Sequence, residues 1–178
     1  MDGDPAAAEG HARESLDIAK EEFLPDNMRL FRSWLRLVQI LCMQQKEREA
    51  EESCDLLVGK EKECFGTDSM EYAELLPALS HMFHYSGNFR KAEKLYRESI
   101  TTLEKVYGKG SKTLSDVLLE FAELNNTIKR YDVEQWALRR LIRKARYDNN
   151  HSAANRFDVL LATSYAETGD FEKAETLQ

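Results

Sequence analysis

Apolar residues recur along this chain at spacings of three and four, which is typical of α-helices that bury one face. One such stripe consists of Leu75, Leu76, Leu79 and Phe83. A second stripe runs through residues 89–100, and Gly87 lies between the two. Glycine readily adopts the left-handed backbone that often ends a helix. Because neither segment alternates at period two, the pattern favours a helical hairpin over paired strands.

This hairpin belongs to an internal repeat. Residues 87–95 read GNFRKAEKL and residues 169–177 read GDFEKAETL, while Gly66 and Gly108 each follow an aromatic residue and are 42 positions apart. A period of this size is typical of a tandem array of two-helix units. Ser69 and Ser111 are expected to cap the helices that follow the two glycines. We divide the chain into a partial N-terminal repeat (1–30, second helix only), repeats at 31–72 and 73–114, a degenerate repeat (115–154) and a truncated C-terminal repeat (155–178).

The repeat resembles the tetratricopeptide repeat. The unit that begins at Ala73 carries the apolar, small, glycine and aromatic positions of that family as Leu76, Leu79, Ser80, Phe83, Gly87, Phe89, Ala92 and Tyr96. The family's usual unit has about 34 residues, and the longer unit here resembles that of kinesin light chains. The resemblance implies an all-α fold. It further implies an α-solenoid, in which antiparallel helical hairpins stack into a right-handed superhelix.

Several positions depart from the family pattern. Gln45 stands where the repeat at 31–72 should have its turn glycine. In the repeat at 115–154 the glycine is lost near Lys129, Asn125 replaces a packing aromatic residue, and Glu134 replaces a packing alanine. We therefore expect 115–154 to be the least regular repeat.

Composition narrows the class of protein. The chain has 178 residues, of which 42% are hydrophobic and 32% charged, with a formal net charge of −7. No apolar run reaches the roughly 18 residues that cross a bilayer. The acidic start resembles neither a secretory signal nor a transit peptide, and the three cysteines are too few for a disulfide framework. We expect a cytoplasmic protein, and an array that is cut at both ends.

Catalytic and metal-binding motifs are missing from the sequence. It has no phosphate-binding glycine loop, no nucleophile elbow and no zinc-protease motif. His81 and His84 share one helix face, but no further ligand follows at metal-binding spacing. Acidic residues near Glu47 are expected to lie in solvent at the start of a helix, where they interact favourably with the helix dipole. We expect no enzyme activity, no cofactor and no metal.

In stacked helical repeats the first helices line a groove that binds partners. The repeat register places nine candidate residues on that face: Arg32, Arg36, Gln39, His81, His84, Tyr85, Glu120, Glu123 and Asn126. It also places Cys42 and Met43 there. The charges change from basic to acidic along the chain, which would suit a peptide with an apolar anchor and oppositely charged ends. We expect a non-catalytic interaction scaffold for a protein or peptide partner, whose oligomeric state the sequence leaves open.

An alternative function is RNA binding through the basic helix at 129–147. Seven Lys and Arg residues cluster there, interleaved with Tyr131, Trp136 and Tyr147. Such a mixture can hold a phosphate backbone and stack bases. Because the chain is acidic overall, and because arginines on such a face commonly pair with glutamates of a neighbouring helix, nucleic acid is the less favoured partner.

Overall fold

The computed structural model describes residues 5–24 and 26–177, and the expectation of an all-α fold is confirmed for them. Pro25, part of the predicted Leu24–Asn27 turn, lies outside the described residues. The described helices are α1 (Pro5–Glu22), α2 (Met28–Met43), α3 (Glu47–Phe65), α4 (Met70–Tyr85), α5 (Phe89–Tyr107), α6 (Lys112–Thr127), α7 (Tyr131–Tyr147), α8 (His151–Glu167) and α9 (Phe171–Glu175). Within these two ranges no helix has the length and apolar character needed to cross a membrane.

From α2 onward, each turn between consecutive helices contains a left-handed residue. Four glycines supply it as expected, with φ between 79° and 84°: Gly66, Gly87, Gly108 and Gly169. The same backbone occurs without glycine at Gln45 (φ 56°), Lys129 (φ 59°) and Asn149 (φ 56°). The repeats that lack the turn glycine therefore keep the turn geometry, at the cost of a conformation that side chains disfavour.

Serine caps begin two of the helices as the sequence predicts. The Ser69 hydroxyl accepts a hydrogen bond from the Tyr72 amide at 3.1 Å, and the Ser111 hydroxyl accepts one from the Leu114 amide at 3.2 Å. Each cap satisfies a backbone N–H that has no partner within the helix. The start points of α4 and α6 are thus set by local chemistry.

The chain forms two compact units, and the first extends to Thr102. In this unit α2 packs against α1, α3 and α4. The apolar stripe predicted in α4 is buried throughout, and Leu76, Leu79 and Phe83 have no exposed surface. Burying each such side chain stabilises the fold by about 2 kcal/mol. Packing of that face leaves the opposite side of α2 and α4 in solvent.

The second unit begins at Leu103, and in it α7 packs against α6 and α8, and α8 against α9. Phe121 of α6 and Leu138 of α7 are almost completely buried. Helix α9 has five residues, of which only Ala174 is buried. The end of the unit thus contributes little to its core.

The irregular repeat at 115–154 packs with polar residues in its interior. Asn125 is fully buried, and its amide donates to the Phe121 carbonyl at 2.7 Å. Glu134 is also buried and accepts hydrogen bonds from the Asn126 amide at 3.0 Å and the Ser164 hydroxyl at 2.8 Å. Both departures from the family pattern therefore lie in the core, where hydrogen bonds offset part of their desolvation.

Candidate functional site

The nine predicted groove residues lie on two separate faces. Six of them are on α2 and α4 in the first unit, and three are on α6 in the second. Seven side chains are exposed, whereas His84 and Glu120 are half-buried.

A pocket opens between the carboxyl ends of α2 and α4. Its volume is about 260 Å³. We call it the anchor pocket, and it is lined by Gln39, Cys42, Met43, Gln45, His81, Met82, Tyr85 and Ser86. Met43 is 77% exposed and Tyr85 is 72% exposed, although both are large apolar side chains. Three predicted residues, Gln39, His81 and Tyr85, therefore meet at one apolar concavity.

Aromatic rings are clustered at the end of α4. The His81 and Tyr85 rings lie one helical turn apart with centroids at 4.3 Å, and those of His84 and Tyr85 are at 5.3 Å. His84 Nδ1 lies 3.3 Å from the Tyr96 hydroxyl of α5. His84 thus makes an interior contact, while His81 and Tyr85 present their rings to solvent.

Two arginines project from α2 one turn apart. Arg32 and Arg36 are both exposed. Across the described parts of the chain, no acidic side chain comes within ion-pair distance of either. Both charges are available to a partner that carries carboxylates.

Cys42, which the repeat register places on the groove face, lines this pocket but is only 5% exposed, so most of its side chain packs into the core. Repeat register failed to identify Gln45, Met82 and Ser86 as pocket residues. Gln45 and Ser86 belong to the turns that end α2 and α4, so a helical stripe does not include them.

The face on α6 is acidic. Partial burial raises the pKa of Glu123, the charge of Glu120 raises it further, and Arg156 of α8 opposes this shift. Asn126 is exposed, but its amide donates a hydrogen bond to the buried carboxylate of Glu134. Glu120 and Glu123 therefore form the charged part of this face, and Asn126 ties α6 to α7.

Several basic side chains of α7 are paired with groups on neighbouring helices. The Arg139 guanidinium donates to the Tyr165 hydroxyl at 2.9 Å, and Arg146 pairs with Asp158 at 2.9 Å. Arg140 pairs with Glu104 of α5, as expected for arginines on a packed helical surface. These pairs reduce the charge that the helix could offer to a phosphate backbone.

The described segments, 5–24 and 26–177, contain no group of three or more His, Cys, Asp or Glu residues placed to hold a metal ion. All three cysteines are free thiols. Burial raises the pKa of Cys54 to about 12, so its thiol stays protonated and unreactive near neutrality.

Comparisons with known proteins agree with the fold of antiparallel helical hairpins. Residues 78–111 match the tetratricopeptide repeat family. The crystal structure of BtubC (BKLC) from P. vanneervenii is similar, with a TM-score of 0.71 and 23% identity over 98% of this chain and 70% of that one. A putative kinesin light chain from Podospora anserina with nearly identical repeats has a TM-score of 0.76 and 14% identity, over 98% and 84% of the two chains. These likenesses confirm the α-solenoid fold. No curated protein sequence matches the chain.

Proposed function

We propose that the chain, in which residues 78–111 match the tetratricopeptide repeat family, is a non-catalytic scaffold that binds a peptide or partner protein through its first helices. Repeats of this kind generally mediate protein–protein interaction. The binding residues on the first unit would be Arg32, Arg36, Gln39, His81 and Tyr85, with His84 behind them.

The anchor pocket is the observation that carries this proposal. A concavity of about 260 Å³ with Met43 and Tyr85 exposed at its rim could accept one apolar side chain. Large exposed apolar groups around a pocket are typical of binding surfaces, because burying them against a partner removes them from water. Methionine adapts its shape to different side chains.

Charges elsewhere on the first helices would select the residues that flank the partner's apolar anchor. Arg32 and Arg36 lie on the same helix as Met43 and would pair with carboxylates of the partner. On the second unit, Glu120 and Glu123 would accept basic side chains. We expect the apolar anchor to provide most of the affinity and the charges to provide selectivity.

Selection from a library of displayed random peptides tests this function. We expect enriched peptides to share an apolar or aromatic residue with acidic residues on one side. The Tyr85→Ala and Met43→Ala variants should weaken binding of the enriched peptide at least about tenfold, because the anchor loses its contacts. Arg32→Glu with Arg36→Glu should weaken binding and reduce its dependence on salt.

Leu56→Ala is the matched control, since Leu56 is 62% exposed on α3 and does not line the anchor pocket. This variant should bind the peptide like the parent chain. Equal losses from Leu56→Ala and Tyr85→Ala, or enriched peptides that lack an apolar residue, would contradict the proposal.

We also propose a cytoplasmic location. The support is the set of three free cysteines, two of them buried, which is typical of a reducing compartment. Fluorescence microscopy of the tagged full chain would test this, and secretion of the tagged chain would contradict it.

A further inference from the structure

A second concavity lies in the other unit, between the end of α5, the loop after it and α7. Its volume is about 540 Å³. We call it the basic–aromatic surface, and it is lined by Glu104, Lys109, Gly110, Trp136, Arg140, Arg143, Lys144 and Tyr147. None of these residues belongs to the first helices, so this surface is separate from the proposed groove residues.

Charge on this surface is unevenly neutralised. Arg140 pairs with Glu104, and Lys144 pairs with Asp148. Lys109 and Arg143 are exposed, and over 5–24 and 26–177 no carboxylate lies within ion-pair distance of them. The Arg143 guanidinium donates a hydrogen bond to the Arg139 carbonyl at 3.3 Å. Two cations thus remain available in a chain whose net charge is −7.

Aromatic groups stand next to these cations. Tyr147 is 85% exposed, and Trp136 is 41% exposed. The Trp136 and Phe121 rings are perpendicular, with centroids at 6.5 Å, and the Arg140 guanidinium lies 5.0 Å from the Trp136 ring centroid. Because these contacts hold the indole in place, little conformational entropy would be lost when a partner packs on its exposed surface.

Lys144 lies beside the loop that contains Gly110. Gly110 lies close to the Lys144 side chain: a Cβ at position 110 would stand 3.6 Å from Lys144 Cε. The aliphatic part of Lys144 therefore covers the loop, while its ammonium group is engaged by Asp148. This stem lines the same concavity as Trp136 and Tyr147, which are the two exposed aromatic residues of α7.

We propose that the basic–aromatic surface is a second docking site, and that its occupant is an acidic peptide segment with an apolar residue next to its carboxylates. Carboxylates would pair with Lys109 and Arg143, and the apolar residue would pack on Trp136 and Tyr147. Charge complementarity favours this occupant, because the site is positive within a negative chain. A long nucleic acid fits less well, since the net charge of −7 repels a polyanion and the two available cations neutralise few phosphates.

Fluorescence anisotropy on the full chain tests the proposal with a fluorescein-labelled peptide that alternates Glu and Leu. We expect saturable binding that weakens with salt, and at least about tenfold weaker binding to the Lys109→Glu/Arg143→Glu variant. Tyr147→Ala should weaken binding several-fold. In a Trp34→Phe background, Trp136 is the remaining tryptophan, and its emission should change when the peptide binds.

Two comparisons make the test specific. The Lys60→Glu/Lys94→Glu variant carries the same charge change at exposed positions of α3 and α5 and should bind the peptide like the parent chain. A Gln/Leu peptide should bind much more weakly than the Glu/Leu peptide. Equal binding of both peptides, equal losses in the two double variants, or tighter binding of an oligouridine RNA than of the Glu/Leu peptide would overturn the proposal.

Discussion

The buried carboxylate of Glu134 on α7 accepts a hydrogen bond of 2.8 Å from the Ser164 hydroxyl on α8. A second hydrogen bond comes from Asn126 of α6, so one side chain connects three helices of the second unit. Burial raises the pKa of Glu134, and the two hydrogen bonds limit that rise. The irregular repeat is thus held by a polar link where the family has a small apolar residue.

Removing this link should destabilise the second unit. We expect Ser164→Ala to lower the free energy of unfolding by about 1–3 kcal/mol, because a buried acceptor loses its donor. The loss should be larger at alkaline than at acid pH, since only the ionised carboxylate depends strongly on the hydroxyl. Urea denaturation measures this. Ser152→Ala, at an exposed position of α8, should change stability by less than about 0.5 kcal/mol, and an equal loss in both variants would refute the link's importance.

A different buried acid should make stability depend on pH. Glu61 of α3 is 2% exposed, and burial, with a smaller effect from Glu71, raises its pKa from 4.5 to about 7. As pH rises, the Glu61 carboxyl loses its proton at a lower pH in the unfolded chain than in the folded chain. The folded state therefore loses stability as pH rises from about 4.5 through 7. Glu61→Gln should therefore stabilise the protein by about 2 kcal/mol more at about pH 8 than at about pH 5.

Thermal or urea unfolding at the two pH values measures this effect. Glu63→Gln, on the same helix at an exposed position, is the control and should show no such difference. A Glu61→Gln gain that is the same at both pH values would mean that the buried carboxyl does not titrate in this range.

The turn at Lys129 offers a test of backbone strain. Lys129 has φ 59°, a conformation that glycine adopts without steric cost. We expect Lys129→Gly to raise the free energy of unfolding by up to about 1 kcal/mol, whereas Gly169→Ala, at φ 79°, should lower it by about 1 kcal/mol. Lys94→Gly, inside α5, should be destabilising by about 1 kcal/mol. Destabilisation by Lys129→Gly equal to that of Lys94→Gly would show that the turn is not strained.

The end of the second unit should open more easily than the middle of the chain. Only Ala174 is buried in α9, whereas α4 and α5 bury residues along their whole length. We expect backbone amides of residues 171–177 to exchange with solvent much faster than those of residues 83–95. Hydrogen–deuterium exchange followed by mass spectrometry measures this, and equal protection of the two segments would contradict it.

Local patterns were sufficient to predict most of the fold. The α4 stripe, the turn at Gly87 and the caps at Ser69 and Ser111 depend on residues within a few positions of each other, which one sequence displays. Repeat register placed turns at Gln45 and Lys129, but their left-handed backbone could not be inferred from residue type, because residues with a side chain disfavour that conformation.

The candidate site was harder to predict, because its properties depend on distant residues. Repeat register placed Tyr85, His81 and Cys42 on the groove face, and all three line the anchor pocket, but it gave no sign that Cys42 is almost completely buried. Register likewise gave no sign that Asn126 bonds to Glu134. An ion pair between an arginine of this helix and a glutamate of a neighbouring helix was expected. The two residues, Arg140 and Glu104, could not be named in advance because they are 36 positions apart in the chain.

The central claim is that a partner's apolar residue enters the anchor pocket, and methionine methyl NMR tests it most directly. With the peptide enriched by selection bound to the full chain, we expect the methyl resonances of Met43 and Met82, which line the pocket, to shift. Met28, exposed at the opposite end of α2, should not shift. A shift of Met28 with Met43 and Met82 unchanged would contradict the claim.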